Sequence, residues 1–138
     1  MNFLNLENKN ILVIGVANKK SVAFHIGKTL QQEGANVLYS VRTKERKQQI
    51  EKLVAPSSVY VCDVEVEEQI KNLKKEVSSE ISTLHGLVHS VAFANYADGL
   101  KPFHETLKND FLQSIDITCY SLISLSEAFK DLFDANAS

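Results

Sequence analysis

Cysteine is scarce in this chain of 138 residues: there are two, Cys62 and Cys119, too far apart for a CxxC pair. Their spacing predicts free, buried thiols and a reducing, cytoplasmic compartment. Long apolar runs are missing as well. None approaches the roughly 18 residues a membrane span needs, so no membrane partner is expected. Neither sign of charge dominates. Fifteen Lys and Arg stand against 17 Asp and Glu, a net charge of −2, and no basic block is interleaved with aromatics. Nucleic acid is therefore not expected as a partner. Met1 to Lys9 has no cationic start followed by a long apolar run, so no secretory leader is expected. The four histidines have no carboxylate or cysteine at ligand spacing, and a metal site is not expected. His25 falls within a helical stretch, His85 and His104 in loops. Repeats, low-complexity tracts and linkers are absent. What is present is an apolar share of 44% in a length suited to one domain or most of one.

The stretch that organises the rest is Asn10 to Ala23, Asn-Ile-Leu-Val-Ile-Gly-Val-Ala-Asn-Lys-Lys-Ser-Val-Ala. Ile11 to Ile14 is an unbroken aliphatic run, the signature of a parallel strand buried on both faces. Gly15 ends it, and a short polar loop leads to Ser21, a good helix N-cap. A strand turning on glycine into a helix start is a phosphate-binding corner. A side chain on Gly15 would block the close approach of a pyrophosphate, and free N–H groups at the helix start favour an anion. Two common versions of the corner are missing: the triple-glycine G-x-G-x-x-G and the nucleotide-triphosphate loop, which needs a glycine before Lys20.

A helix follows over Ser21 to Glu33, with Val22, Ala23, Ile26 and Leu30 on its apolar stripe, and Gly34 just past its end. Asn36 to Val41 reads as a second strand. Thr43 to Leu53 reads as a charged helix with Ile50 and Leu53 inward, and Pro56 lies beyond it. Ser58 to Cys62 is a third strand and Val66 to Ser79 an amphipathic helix carrying Ile70, Leu73 and Val77. Gly86 to Ala92 is a fourth strand, followed by a loop over Phe93 to Pro102. Thr106 to Phe133 reads as a short turn and then a long helix, and Asp134 to Ser138 as a turn. Tyr96 and Tyr120 are expected to pack rather than to act chemically. Alternating strands and helices predict an α/β fold, a Rossmann-like doubly wound parallel sheet in strand order 3-2-1-4. The order also predicts a fold incomplete at its C-terminal side, because a fifth strand would follow the last turn. Residues 1–138 would then be the first part of a longer nucleotide-binding domain, with a self-contained short protein as the alternative.

Three further positions bear on chemistry. At the end of the second strand an acid would suit the ribose 2′-hydroxyl of NAD, and a base the 2′-phosphate of NADP. Here Arg42 stands, followed by Lys44, Arg46 and Lys47. A phosphate pocket and a solvated basic helix start are both open readings. After the third strand, Asp63 can accept from an adenine amine with Val64 packed on the ring, or it can cap the next helix. At the end of the fourth strand, His89-Ser90-Val91-Ala92-Phe93-Ala94 is rich in small residues that let ligands approach the backbone, or that simply ease packing.

Together these motifs resemble the bacterial-type enoyl-acyl-carrier-protein reductases, a divergent branch of the short-chain dehydrogenase/reductase superfamily. Gly15 to Ala23 resembles that family's glycine loop, in which one glycine and a serine six positions on replace the usual three glycines. Cys62-Asp63-Val64 resembles its adenine-binding turn, and His89 to Asn95 its fourth-strand signature. Phe111 followed by Asp116 to Ser121 is similar to the start of its long interface helix. The matches run from about Asn10 to Phe133, in order and at the right spacing.

The resemblance implies that Gly15, Ser21, Val22, Arg42, Asp63, Val64 and Val91 line NADH or NADPH and that Ala94 contacts the enoyl substrate. It implies reduction of a trans-2-enoyl thioester on acyl carrier protein in fatty-acid synthesis, and a homotetramer built through the long helix, with Ile115, Leu122 and Phe129 as interface or core residues. It also implies a catalytic Tyr-x6-Lys pair beyond a fifth strand. This sequence has none: at that distance Tyr39 meets Arg46, Tyr60 meets Glu67, Tyr96 meets Phe103 and Tyr120 meets Glu127. No catalytic residue is assigned, and inactivity of the isolated chain is expected. A non-catalytic dinucleotide-binding module is the alternative. A carbonyl-reducing member would carry three glycines and an Asn-Asn-Ala-Gly strand end, and neither is present.

Overall fold

A computed structural model describes residues 4–138. The first three residues, part of the Met1 to Lys9 stretch considered above for a leader, lie outside the described residues. Four strands form one parallel sheet: β1 (Asn10–Ile14), β2 (Asn36–Val41), β3 (Val59–Val61) and β4 (Gly86–His89), in the order β3-β2-β1-β4. Helices α1 (Val22–Gln32), α2 (Lys44–Val54) and α3 (Glu67–Glu80) connect them. After β4 come α4 (Lys108–Ile115), a π-helical turn over Asp116–Tyr120, and α5 (Ser121–Phe129). The expected doubly wound topology is therefore present.

The apolar run in β1 explains the layering. Successive side chains of a strand point to opposite faces. Ile11 and Val13 join Val37, Tyr39, Val41, Ala23, Ile50 and Val54 in one core, under α1 and α2. Leu12 and Ile14 join Leu38, Ile70, Leu73, Val77, Leu125 and Phe129 in the other, under α3 and α5. A strand serving two cores has no polar face, which is why alternation is absent from it.

Element ends follow from local chemistry. Ser21 caps α1, accepting from Phe24 N–H, and Thr43 caps α2, accepting from Arg46 N–H. Gly34, at φ +88°, follows the end of α1 in the left-handed conformation that lets the chain turn into β2. β3 is shorter than expected, but Ser58 and Cys62 still bond β2 at its two ends through Tyr39 N–H and Val41 C=O. β4 stops at His89 rather than Ala92 because its neighbour β1 ends at Ile14. The last ladder bond runs from Ser90 N–H to Ile14 C=O at 3.0 Å.

Several side chains depart from expectation. On α1, Ala23 and Gly27 are the buried residues, and Val22 points to solvent. On α2, Val54 takes the fully buried place expected of Leu53, which packs at the margin. Phe129 is core, whereas Ile115 and Leu122 are exposed, so the three do not share one face. Tyr96 and Tyr120 are exposed rather than packed. Of the two thiols only Cys62 is buried, and Cys119 faces solvent.

The outer edge of β4 is not bare. The long helix ends at Phe129 rather than Phe133, and the residues after it, expected to finish the helix and then turn, hydrogen-bond along β4 and the residues just before it: Leu84 N–H donates to Leu132 C=O, Asp134 N–H to Leu84 C=O, Ser138 N–H to His85 C=O and Leu87 N–H to Ser138 C=O. The bridge between Leu84 and Phe133 is parallel, as in the rest of the sheet. Among the described residues, no helix is long and apolar enough to cross a membrane.

Candidate functional site

The C-terminal ends of the strands surround a cavity of about 300 Å³. That is the low end of small-ligand pockets, about 300–1,000 Å³, and it lies where open parallel sheets bind ligands. Its lining includes Gly15, Arg42, Asp63, Val64 and Val91, five of the eight residues singled out from the sequence. They come from four different strand ends, brought together by the 3-2-1-4 order.

Gly15 sits at φ +100°, and a Cβ there would lie 2.1 Å from the Ser90 carbonyl oxygen. The need for glycine is therefore set first by the backbone of β4, packed against the turn, and not only by room for a ligand. Ser21 stands behind the loop rather than in the cavity. Its hydroxyl donates to Asn18 C=O at 2.7 Å and accepts from Ala17 N–H and Phe24 N–H, both at 3.4 Å. It thus shapes the glycine loop and starts α1 at once. Val22, 67% exposed, lies outside the cavity lining. Ala94 lies in a neighbouring cavity of about 230 Å³ with Asn95, Tyr96, Leu107 and Phe111.

Arg42 lies across the cavity mouth. Its Nε donates to Asp63 Oδ2 at 2.9 Å and its Nη2 to Glu65 Oε2 at 3.0 Å, and its guanidinium carbon is 5.9 Å from the centre of the Phe93 ring. Asp63 does not cap α3, whose first turn has no side-chain cap. Instead Asp63 Oδ1 accepts from Glu65 N–H at 3.1 Å, and Asp63 N–H donates to Gln69 Oε1 at 2.8 Å. Both carboxylate oxygens are thus fixed by hydrogen bonds, Oδ2 by Arg42 and Oδ1 by Glu65 N–H. Of the basic cluster, Lys47 pairs with Glu51 along α2.

Arg46, which the sequence offers only as one of the basic residues following Arg42, belongs to the site. It lines the cavity, and its Nη1 donates to the Ala17 carbonyl at 2.6 Å, tying α2 to the glycine loop. The signal was its place in the first turn of α2, just after Arg42. Phe93, Ile117 and Ser40 also line the cavity. Ser40 is fully buried and its hydroxyl has no hydrogen-bond partner. Beside Val91, the Cys62 thiol is pushed up to about 12 by burial and the nearby Asp63 charge, which keeps it protonated and inert. Among the described residues, no three His, Cys, Asp or Glu side chains gather as a metal site.

The donor set suits a nucleotide: two guanidiniums for phosphate, a carboxylate for a ring amine, Val64 and Val91 for a base face, and a glycine loop before a helix N-terminus. Fold and cavity together define a doubly wound domain of the nucleotide-binding class. Comparison with known proteins narrows the class. The family model described as Enoyl-(Acyl carrier protein) reductase matches residues 15–138. The chain belongs to that family. It is 34% identical over 140 residues to the NADPH enoyl-acyl-carrier-protein reductase FabI of Staphylococcus aureus, covering 98% of this chain and 55% of that protein. It is 36% identical over 130 residues to the NADH enzyme FabI of Enterococcus faecalis, covering 94% of this chain and 52% of that protein. The crystal structure of the NADH enoyl-acyl-carrier-protein reductase of Aquifex aeolicus superposes with a TM-score of 0.89 at 32% identity, covering 94% of this chain and 52% of that one. The chain thus spans about half the length of the relatives it matches.

Proposed function

We propose that this chain forms the cofactor-binding part of an NAD(P)H-dependent enoyl-acyl-carrier-protein reductase of fatty-acid synthesis. The observation that carries the reading is the convergence of Gly15, Arg42, Asp63, Val64 and Val91 on one cavity at the carboxyl ends of parallel strands. Asp63 would accept from the adenine amine, Val64 and Val91 would pack on the ring, and Arg42 would face the ribose. Ser21 would act by shaping the glycine loop, and Val22 through the start of α1, where N–H groups favour an anion. A bound NADH or NADPH would supply a hydride for C3 of a trans-2-enoyl thioester. Ala94, in the cavity next to the cofactor site, would contact that acyl chain.

Enoyl reduction also needs a donor for the thioester oxygen, where negative charge develops. No Tyr-x6-Lys pair in this sequence supplies it, so residues 1–138 account for cofactor binding and not for the protonation half of the reaction. The reading extends to a cytoplasmic homotetramer acting on acyl carrier protein. The exposed apolar side chains of Phe111, Leu112 and Ile115 on α4 and Leu122 and Ile123 on α5 support an interface through these helices. The free thiols suit a reducing compartment.

Calorimetric titration of NADH and NADPH into the chain tests the reading, with Arg42→Ala alongside. Micromolar binding that weakens for NADPH alone in the variant is expected. A folded chain that binds neither cofactor defeats the reading.

A further inference from the structure

In the free protein Arg42 already has anionic partners. Two of its five N–H groups are taken, one by Asp63 and one by Glu65. Glu65 is itself held in place: its other carboxylate oxygen accepts from Gln113 Nε2 on α4 at 3.0 Å. Its side chain is only 23% exposed, so it is not a freely rotating surface acid. The Arg42 guanidinium is further fixed by the Phe93 ring.

These contacts set up a competition. A 2′-phosphate on the adenosine ribose needs the same guanidinium, and it brings further negative charge close to the Asp63 and Glu65 carboxylates that already bind it. A 2′-hydroxyl makes no such demand. Asp63 has its own use at the adenine, but Glu65 does not line the cavity, and nothing else in the site requires its charge. Resting on the nucleotide reading above, we propose that Glu65 is a specificity-determining residue. It occupies the place of the cofactor's 2′-phosphate on Arg42 and so biases the site toward the unphosphorylated cofactor, with Gln113 as its positioning residue.

The probe pair is adenosine 5′-monophosphate and adenosine 2′,5′-bisphosphate, which differ only by the 2′-phosphate and need only the half of the pocket described here. In Glu65→Gln, nearly the same shape without the charge, the bisphosphate is expected to bind about tenfold tighter while the monophosphate changes less than about twofold. Gln113→Leu, which frees Glu65 without neutralising it, should give a smaller gain of the same kind. The gain should vanish when Glu65→Gln is combined with Arg42→Ala. Equal effects on both nucleotides, or none, overturn the role of Glu65 and leave the nucleotide reading standing. Failure of wild type and variants to bind either nucleotide overturns both.

Discussion

The Nε2 of His89, at the end of β4, lies 2.7 Å from the hydroxyl of Ser121 at the start of α5. Ser121 Oγ donates to the Ile117 carbonyl at 2.7 Å, so it receives rather than gives the proton shared with His89, which must carry hydrogen on Nε2. Ser121 sits where the helix returns from π to α geometry, its N–H reaching back to Asp116. The pair fastens the helical layer to the sheet directly beside the cavity.

Burial holds the His89 pKa below the ordinary 6.5. The unfolded chain therefore takes up a proton that the folded chain resists. The contribution of His89 to stability is full above the unfolded value and falls as pH drops below about 6.5. Urea denaturation of wild type and His89→Gln across this range should show the difference between them shrinking toward acid pH. A difference that stays constant removes His89 from the account.

Gly27 packs α1 directly onto β2. A Cβ at this position would lie 2.3 Å from the Tyr39 hydroxyl and 2.5 Å from its ring, and Tyr39 is fully buried. Gly27→Ala should cost about 2 kcal/mol or more through overpacking, despite alanine's better helix propensity. A variant with an unchanged or raised melting temperature would show that the Tyr39 ring yields without cost.

Ser40 carries a buried hydroxyl without a partner. Ser40→Ala removes a desolvated polar group and should leave stability unchanged or raise it by up to about 1 kcal/mol. Chemical denaturation decides the matter, and a clear loss of stability would mean that the hydroxyl is hydrogen-bonded after all.

The two thiols should separate under alkylation. Cys119 is exposed, whereas Cys62 is buried and its pKa is pushed up to about 12. Iodoacetamide on the native chain at mildly alkaline pH should add one label, lost in Cys119→Ser, and unfolding should reveal a second. Two labels on the native chain would show that the cavity floor opens.

Much of this architecture is legible locally. The run Ile11 to Ile14 announces a strand between two cores, and the cap Ser21 marks a helix start that the structure keeps. Gly15, Arg42, Asp63, Val64 and Val91 are readable because each sits next to a strand end, and strand ends of a parallel sheet share one rim. What escapes is phase and distance. Leu53 and Val54 are neighbours in sequence, and only the orientation of α2 decides which is covered. Ile115 and Phe129 have the same chemistry, but the π-helical turn between them rotates one out and the other in. Arg46 looks like any other surface base until the helix brings it back over Ala17. The partnership of Glu65 with Gln113 joins residues 48 positions apart, and no local pattern encodes it.

The position of β1 also sets a timetable for synthesis. Ile11 pairs with Val37 on one side and with Gly86 on the other. The first strand made is therefore the one whose second neighbour arrives after three helices have been added. Until then Leu12 and Ile14 lie on the open edge of a growing sheet. The rim that Gly15 shares with Ser90 and Val91 cannot close before β4 emerges. Within residues 1–138, β1 thus stays paired on one side only until β4 is made, and the ligand pocket cannot form before then.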